Sequence, residues 1–498
     1  MMKKRTGESR ITHALPVSVA TSLLGTMMML TIPLMPAAEP LRISVEDSAA
    51  KPLSDDVAGL SYETSVLLPG ADGRRYFRAD NAPLVQMFKT LGVKNLRIGG
   101  NSVDDPSIPI PTEDDIRSLF EFARAAGVKV IYSVRLQDGD PESAAKVTKL
   151  IRENYADLMD CFSIGNEPDY YHDYNVLKAK WTAIQKAMLA EWPEARFCGM
   201  DQNPKPALIK KVVEDFGKTG NFVMITQHSY PFGCSYSNPQ DAKSGVDKLI
   251  PQEPVSSRQR MLSADAYKTY AEILEGMVEA VAGTGLSFRL TETNSYWFSG
   301  LKGVSDRYVS AIWGLDYLHW WATHGSDGIN FHTGDRTGGG ISLPCRYAVF
   351  VSSEEGYAAR PLAYAMKMFA LGEFRSPLQI KIPSSDSSDV VAYGGMAGKN
   401  ELLVTLINKA HGGTAKDRQV VLSLPSSWNV QSAETVEMRS ATGDPGADSG
   451  ISVGKGEIGA DGSWDGKWTP VATSSIRDSG IDLSIAPLSA VVVRISLK

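Results

Sequence analysis

Between about residues 57 and 335 the chain alternates short apolar runs with stretches whose apolar residues recur every three to four positions. The runs predict strands at Val57–Tyr62, Asn95–Gly99, Val128–Val134, Cys161–Ile164, Arg196–Met200, Phe222–His228, Ser287–Glu292 and Gly328–His332. The stretches between them predict helices. Ile116, Leu119, Phe120 and Ala123 follow an i, i+3, i+4, i+7 spacing, and Gly127 stands where a helix would stop. Val147, Leu150 and Ile151 form the next stripe, and segments 176–191, 264–282 and 306–323 are helix-like. Eight strands alternating with helices over about 280 residues predict a (β/α)8 TIM barrel. A doubly wound open sheet is the alternative, weakened because no Gly-rich phosphate turn follows the first strand.

Past about residue 375 the rhythm changes. Gln379–Ile382, Val390–Tyr393, Leu402–Asn408, Gln419–Leu424, Thr435–Arg439 and Ala490–Ile495 are short β-type runs separated by Gly, Pro, Ser and Asp. That is the pattern of a small antiparallel β-sandwich. Leu41–Val45 is strand-like too and is expected to join it. The expected fold is therefore α/β, with a (β/α)8 catalytic barrel over 57–375. A C-terminal antiparallel β-sandwich domain is built from 39–56 plus 376–498.

Residues 1–38 read as an export signal. Lys3, Lys4, Arg5 and Arg10 give a positive start, Ala14 to Met35 carries no acid or base, and Pro36-Ala37-Ala38 supplies small residues for cleavage near Glu39. A retained membrane anchor is the competing reading, since about 20 apolar residues can span a bilayer. Cleavage would leave an exported protein, periplasmic or extracellular, with no stable membrane insertion.

Composition changes this picture in two places. The whole chain has a formal net charge of −6. The leading segment holds four bases and one acid, so without it the net charge is about −9. An acidic chain has no basic surplus to release phosphate counterions, which argues against non-specific nucleic-acid or anionic-membrane binding. Of the 4 Cys, Cys161 and Cys198 fall in or beside apolar strand runs and read as buried thiols. Cys234 and Cys345 sit in Gly- and Pro-containing loops, where an exported chain could bridge them. No Cys-x-x-Cys occurs, so a zinc site of that kind has no support.

In a barrel of this type the active site forms at the carboxyl ends of the strands. Those ends carry Glu63, Asp104, Asn166-Glu167, His228 with Tyr230, Glu292 with Tyr296 and Trp297, and His332. Glu167 closes the fourth strand and Glu292 the seventh. Two carboxylates converging there suit glycoside hydrolysis, one donating a proton to the leaving oxygen and the other attacking the anomeric carbon. Mutual repulsion helps to divide the roles. Once Glu292 is esterified its charge is gone, and Glu167 can act as base for the incoming water. Salt-bridge partners at the barrel mouth are the structural alternative for either residue. The spacing of His172, His228, His319, His324 and His332 matches no helical metal-ligand pair, which points to a polar lining. Trp320 and Trp321 read as packing, whereas Tyr296 and Trp297 follow the seventh strand closely enough to face a sugar.

These residues resemble glycoside hydrolase family 79 of clan A, the family of β-glucuronidases and heparanase. The resemblance rests on Leu96-Arg97-Ile98-Gly99-Gly100 followed by Asp104, Gly165-Asn166-Glu167-Pro168, His228-x-Tyr230 and Thr291-Glu292-Thr293-Asn294-Ser295-Tyr296. Ser305-Asp306 and Trp313-x-Leu315-Asp316 follow in the same order. It implies Glu167 as acid/base and Glu292 as nucleophile of a retaining enzyme. Asn166 would contact the sugar 2-hydroxyl, Glu63 and Asp104 the other ring hydroxyls, and Tyr230 would orient Glu292, with His228 also in the substrate site. No metal or cofactor is implied. A uronate carboxylate needs donors, for which Tyr296 and the Gly338-Gly339-Gly340 loop up to Tyr347 are candidates. Trp297 and that loop depart from the family pattern.

The expected activity is an exo-acting β-glucuronidase on a glycan bearing a terminal uronic acid, glucuronic acid or its 4-O-methyl form. A net charge of about −9 argues against a long polyanionic substrate. Alternatives are another retaining clan A glycosidase (β-xylosidase, arabinofuranosidase or endo-β-glucuronidase) or an exported carbohydrate-binding protein without activity.

Overall fold

The computed structural model describes residues 39–168, 171, 173–203, 205–234, 253–335, 345–383, 389–477 and 479–498. The expected export signal, His172 and the Gly338-Gly339-Gly340 loop lie outside the described residues. Among the described residues, no helix is long and apolar enough to cross a membrane.

Strand β1 (Leu41–Ala49) precedes a closed parallel barrel. The barrel is β2 (Ala58–Glu63), β3 (Asn95–Gly99), β4 (Lys129–Val134), β5 (Met159–Ile164), β6 (Phe197–Gln202), β7 (Phe222–Ser229), β8 (Ser287–Thr293) and β9 (Ile329–His332), with β9 returning to β2. Side chains alternate across each strand. In β3, Leu96 and Ile98 pack in the apolar layer under the helices, which leaves Arg97 to point into the barrel.

The surrounding helices start and stop for local reasons. Helix Glu113–Ala126 opens on a capping box, with the Thr112 hydroxyl accepting from the Asp115 N–H and the Asp115 carboxylate accepting from the Thr112 N–H. It ends at Gly127, whose φ of 75° suits the left-handed cap. Its Ile116, Leu119, Phe120 and Ala123 are all buried, the stripe read from the sequence. Helix Tyr308–Thr323 is buried on nearly every side and is correspondingly apolar all round.

A hairpin of β10 (Phe350–Ser353) and β11 (Gly356–Ala359) follows the barrel. After helix Pro361–Leu371 come β12 (Ser376–Lys381), β13 (Val390–Gly398), β14 (Glu401–Asn408), β15 (Arg418–Ser423) and β16 (Val430–Ser440). Then come β17 (Ile451–Val453), β18 (Thr469–Pro470), β19 (Ile476–Arg477), β20 (Gly480–Ile485) and β21 (Ser489–Leu497). With β1 they form one 11-stranded sheet, curled around a core that includes Leu41, Ile43, Val404, Leu406, Val420 and Val493. The sheet is mostly antiparallel, not wholly so. β1 lies between β12 and β15, antiparallel to the first and parallel to the second.

Helix Tyr308–Thr323 ties the barrel to the sheet. The Tyr308 hydroxyl donates to Met438 O at 3.2 Å and Leu488 O at 3.0 Å. Asp316 accepts from buried Lys409 Nζ at 2.6 Å and from the Tyr393 hydroxyl at 2.6 Å. All four cysteines are free thiols and buried, so Cys234 and Cys345 are not bridged.

Candidate active site

The carboxyl ends of β5 and β8 bring Glu167 and Glu292 together. After β5 the chain turns through Gly165 (φ 84°) and places Glu167 itself at φ 43°. Asp201, near the end of β6, has φ 49°, and its carbonyl accepts the Glu167 N–H at 2.7 Å. Such left-handed conformations are uncommon for residues other than glycine and cluster at functional sites. In the β7–β8 register His228 lies beside Glu292. A carboxylate oxygen of Glu167, one of Glu292 and a ring nitrogen of His228 all lie within 4.8 Å of one another. Glu167 and Glu292 line one cavity of about 720 Å³ together with Glu63, Tyr230, His332 and Tyr347.

Arg97 organises the floor of this cavity and is wholly buried. Its Nη1 donates to Glu292 Oε2 at 2.9 Å and to Ser61 Oγ at 3.2 Å. Its Nη2 donates to Asn166 Oδ1 at 2.8 Å and to Asp201 Oδ2 at 2.9 Å. The Gly99-Gly100 pair makes room for it. A Cβ on Gly99 would sit 2.4 Å from the Arg97 guanidinium carbon, and one on Gly100 would sit 2.4 Å from the Glu63 carboxyl. The paired glycines of the Leu-Arg-Ile-Gly-Gly segment thus have a steric cause.

The electrostatics favour an ionised Glu292. Burial acts to raise its pKa, but the charges of His332, His228 and Arg97 and the Tyr230 hydroxyl outweigh burial and hold the carboxyl well below the usual carboxylate range. The Tyr230 hydroxyl donates to Glu292 Oε1 at 2.8 Å. Burial alone would lower the pKa of His228. The Glu292 charge and the hydrogen bond to Glu167 reverse this, so it is raised. His228 Nδ1 and Glu167 Oε1 are hydrogen-bonded at 2.9 Å. His332 is likewise raised against burial, by Glu292 and by Glu63, whose Oε1 is 3.6 Å from its Nε2.

The other expected site residues fall in three places. Glu63, His228, Tyr230 and Trp297 line the cavity. Glu63 also accepts the Ser102 N–H at 2.8 Å. Asp104 and Asn166 lie against a smaller adjoining hollow of about 310 Å³ that reaches Glu167. Asp104 accepts from the N–H groups of Leu136, Gln137 and Asn166, so its carboxylate fixes the turn that carries Asn166. Tyr296 does not line the cavity. It is fully buried, its ring 5.6 Å from that of Phe232. The cause is the Asn294 side chain, which accepts from the Ser295 N–H and donates to His332 O and Tyr347 O. That local clasp ends the strand alternation, so Tyr296 turns under the loop while Trp297 turns to the cavity.

Two residues to which sequence reasoning gave no role belong to the same network, Arg97 and Asp201. Asp201 accepts from Thr291 Oγ1 at 2.5 Å and Ser163 Oγ at 2.9 Å, and lies 4.0 Å from His228 Nε2. Glu167, His228 and Glu292 have the donor types of a divalent-cation site. Here Arg97 pairs with Glu292 at 2.9 Å, and His228 with Glu167 at 2.9 Å.

No known protein family and no curated protein matches the chain. Solved structures do. A 4-O-α-L-rhamnosyl-β-D-glucuronidase from Fusarium oxysporum 12S aligns with a TM-score of 0.65 at 16% identity, over 91% of this chain and 100% of its own. An α-L-arabinofuranosidase from Thermotoga maritima aligns with a TM-score of 0.63 at 14% identity, over 92% and 100%. A monomeric β-xylosidase from Caulobacter crescentus CB15 aligns with a TM-score of 0.59 at 14% identity, over 92% and 99%. At these identities the likeness is one of fold: the chain has the barrel and C-terminal sheet architecture of these glycosidases.

Proposed function

We propose that the protein is a retaining glycoside hydrolase and, more narrowly, an exo-acting β-glucuronidase. The observation that carries the first part is that one carboxylate oxygen of Glu167 and one of Glu292 lie within 4.8 Å of each other in a shared cavity. Retaining enzymes hold their two carboxyl groups about 5–5.5 Å apart, whereas inverting ones leave about 6.5–9.5 Å for a water. The fold shared with solved glycosidases supports the same reading.

In this mechanism Glu292, held ionised by Arg97, His332, His228 and Tyr230, attacks the anomeric carbon. Glu167, hydrogen-bonded to His228, protonates the leaving oxygen. The Arg97–Asn166 bond sets the Asn166 amide for the sugar 2-hydroxyl. With Glu292 esterified, the negative charge that raises the His228 pKa is gone. The Glu167–His228 pair then accepts a proton from water, which attacks the glycosyl ester and returns Glu292 to its ionised form.

The uronate assignment is supported by the motifs in β3, β5, β7 and β8 and by the donors beside Glu292. His332 and Tyr347 stand where they can together hold a carboxylate. A second reading is a neutral pentosidase, an arabinofuranosidase or xylosidase. It is favoured by one observation: no Lys or Arg lines the cavity among the described residues. A panel of aryl glycosides decides between them. The proposal expects release of aglycone from the aryl β-glucuronide and its loss in Glu292→Gln. Turnover of an aryl xyloside or arabinofuranoside with none of the glucuronide would overturn the uronate assignment. Binding of all of them without turnover would overturn the enzyme.

A further inference from the structure

The cavity extends well beyond the groups that can serve one sugar ring. Its floor is ionisable and comes from strand ends. Its outer wall is different: Trp297 and Phe298 from the turn after β8, and Thr269, Glu272 and Ile273 from helix Ala266–Val281. The Trp297 and Phe298 rings lie 4.5 Å apart at 30°. Phe298 keeps 37% of its surface exposed, one of few large apolar residues to do so. The backbone is bent to present it. Phe298 and Ser299 have φ of 58° and 60°, a conformation that residues with a Cβ rarely adopt. The turn is held by Trp297 N–H donating to Gly233 O at 3.0 Å, Arg346 N–H to Ser299 O at 2.7 Å and Leu301 N–H to Ser305 Oγ at 2.9 Å. A half-buried Trp297 beside an exposed Phe298, fixed by a strained turn at a cavity wall, is a binding feature.

The charge of the cavity limits what can bind there. Four carboxylates line it, Glu63, Glu167, Glu272 and Glu292, and the described lining holds no Lys or Arg. His228 and His332 are committed to the floor. A second anionic ring against the outer wall would meet Glu272 with no Lys or Arg among the described lining residues to offset it. Aromatic rings, by contrast, suit the apolar C–H face of a neutral pyranose, and a carboxylate at the edge accepts its hydroxyls.

We propose that Trp297, Phe298 and Ile273 form an aglycone subsite for a neutral sugar ring, with Glu272 accepting a hydroxyl and excluding sulfated or uronic neighbours. This rests on the glycosidase reading of the same cavity. The chemistry remains hydrolysis, and the subsite sets which glycosidic linkages are cut.

The test compares β-D-glucuronosyl fluoride, which has no ring beyond the scissile bond, with glucuronic acid β-linked to galactose and to a sulfated galactose. The wild-type protein should favour the neutral disaccharide over the sulfated one at least tenfold in kcat/KM. The double variant Trp297→Ala/Phe298→Ala should lower the disaccharide-to-fluoride ratio of kcat/KM at least tenfold. Glu272→Gln, on an exposed helix position, should raise the sulfated-to-neutral ratio at least threefold. Turnover of the fluoride with these ratios unaltered, or a wild-type preference for the sulfated sugar, would overturn the subsite alone. No turnover of any of the three would overturn the glucuronidase reading and the subsite with it.

Discussion

Replacing Arg97 with methionine tests how the site is held. The guanidinium is wholly buried and donates to Glu292, Ser61, Asn166 and Asp201. Removing it leaves two carboxylates, one of them fully buried, without the cation between them. Breaking a buried pair by deleting one partner costs about 3–5 kcal/mol. At about 2–4 °C per kcal/mol for a domain of 150–250 residues, and less for a larger unit, the melting temperature should fall by roughly 5–10 °C. A second effect is on titration. Arg97 is one of three cations that lower the Glu292 pKa, so its loss raises that pKa and moves the acid limb of kcat/KM to higher pH. Arg97→Lys separates the two effects. It keeps a charge but not the fork, so it should restore much of the acid limb and little of the stability. The assays are thermal unfolding and a pH–rate profile on the aryl glycoside that the panel selects. An Arg97→Met protein with wild-type stability and an unmoved acid limb would refute the reasoning.

Two further outcomes follow from the same contacts. Tyr230→Phe removes the hydroxyl bonded to Glu292 Oε1; a hydrogen bond to a charged group is worth about 1.5–3 kcal/mol, so kcat should fall about 10- to 100-fold with the acid limb moved to higher pH. His319 is buried against Phe374 and Tyr393, and burial pushes its pKa down to about 3, with the Asp316 charge opposing. The unfolded chain therefore takes up a proton below about pH 6.5 that the folded chain refuses down to about pH 3, and stability falls with pH in that window by about 1.4 kcal/mol per pH unit. His319→Phe should remove that slope in denaturant titrations at pH 6.5, 5.5 and 4.5, and an unchanged slope would contradict it.

The barrel was legible because its short strands, bounded by turn residues, alternate with helices whose apolar residues recur every three to four positions. β3 spans Asn95–Gly99 as the pattern predicts. Glu167 and Glu292 were legible because they stand where such runs stop, and strand ends converge in this architecture. Arg97 was harder to assign. A basic residue inside a strand reads from sequence as an outward position, and only barrel closure turns it toward Glu292. Asp201 gave no signal, since the apolar run stops at Met200 and β6 continues to Gln202. Tyr296 follows the seventh strand closely in sequence, but the Asn294 clasp turns it under the loop, where it is buried. The parallel pairing of β1 with β15 has no local signature, because it depends on where the curled sheet receives the chain's first strand. The acidic balance of the sequence, −6 overall, pointed away from polyanions in general terms. The cavity gives that a local form, in carboxylates that line its wall.

The most direct test of the central claim is a trap for the glycosyl-enzyme. Incubation with 2-deoxy-2-fluoro-β-D-glucuronosyl fluoride, followed by proteolysis and mass spectrometry, should find the sugar esterified to the peptide bearing Glu292. Direct NMR of a hydrolysis time course should show the β-anomer forming first. An unlabelled Glu292 together with an α-anomeric first product would contradict the double displacement, and with it the roles drawn here for Glu292 and Glu167.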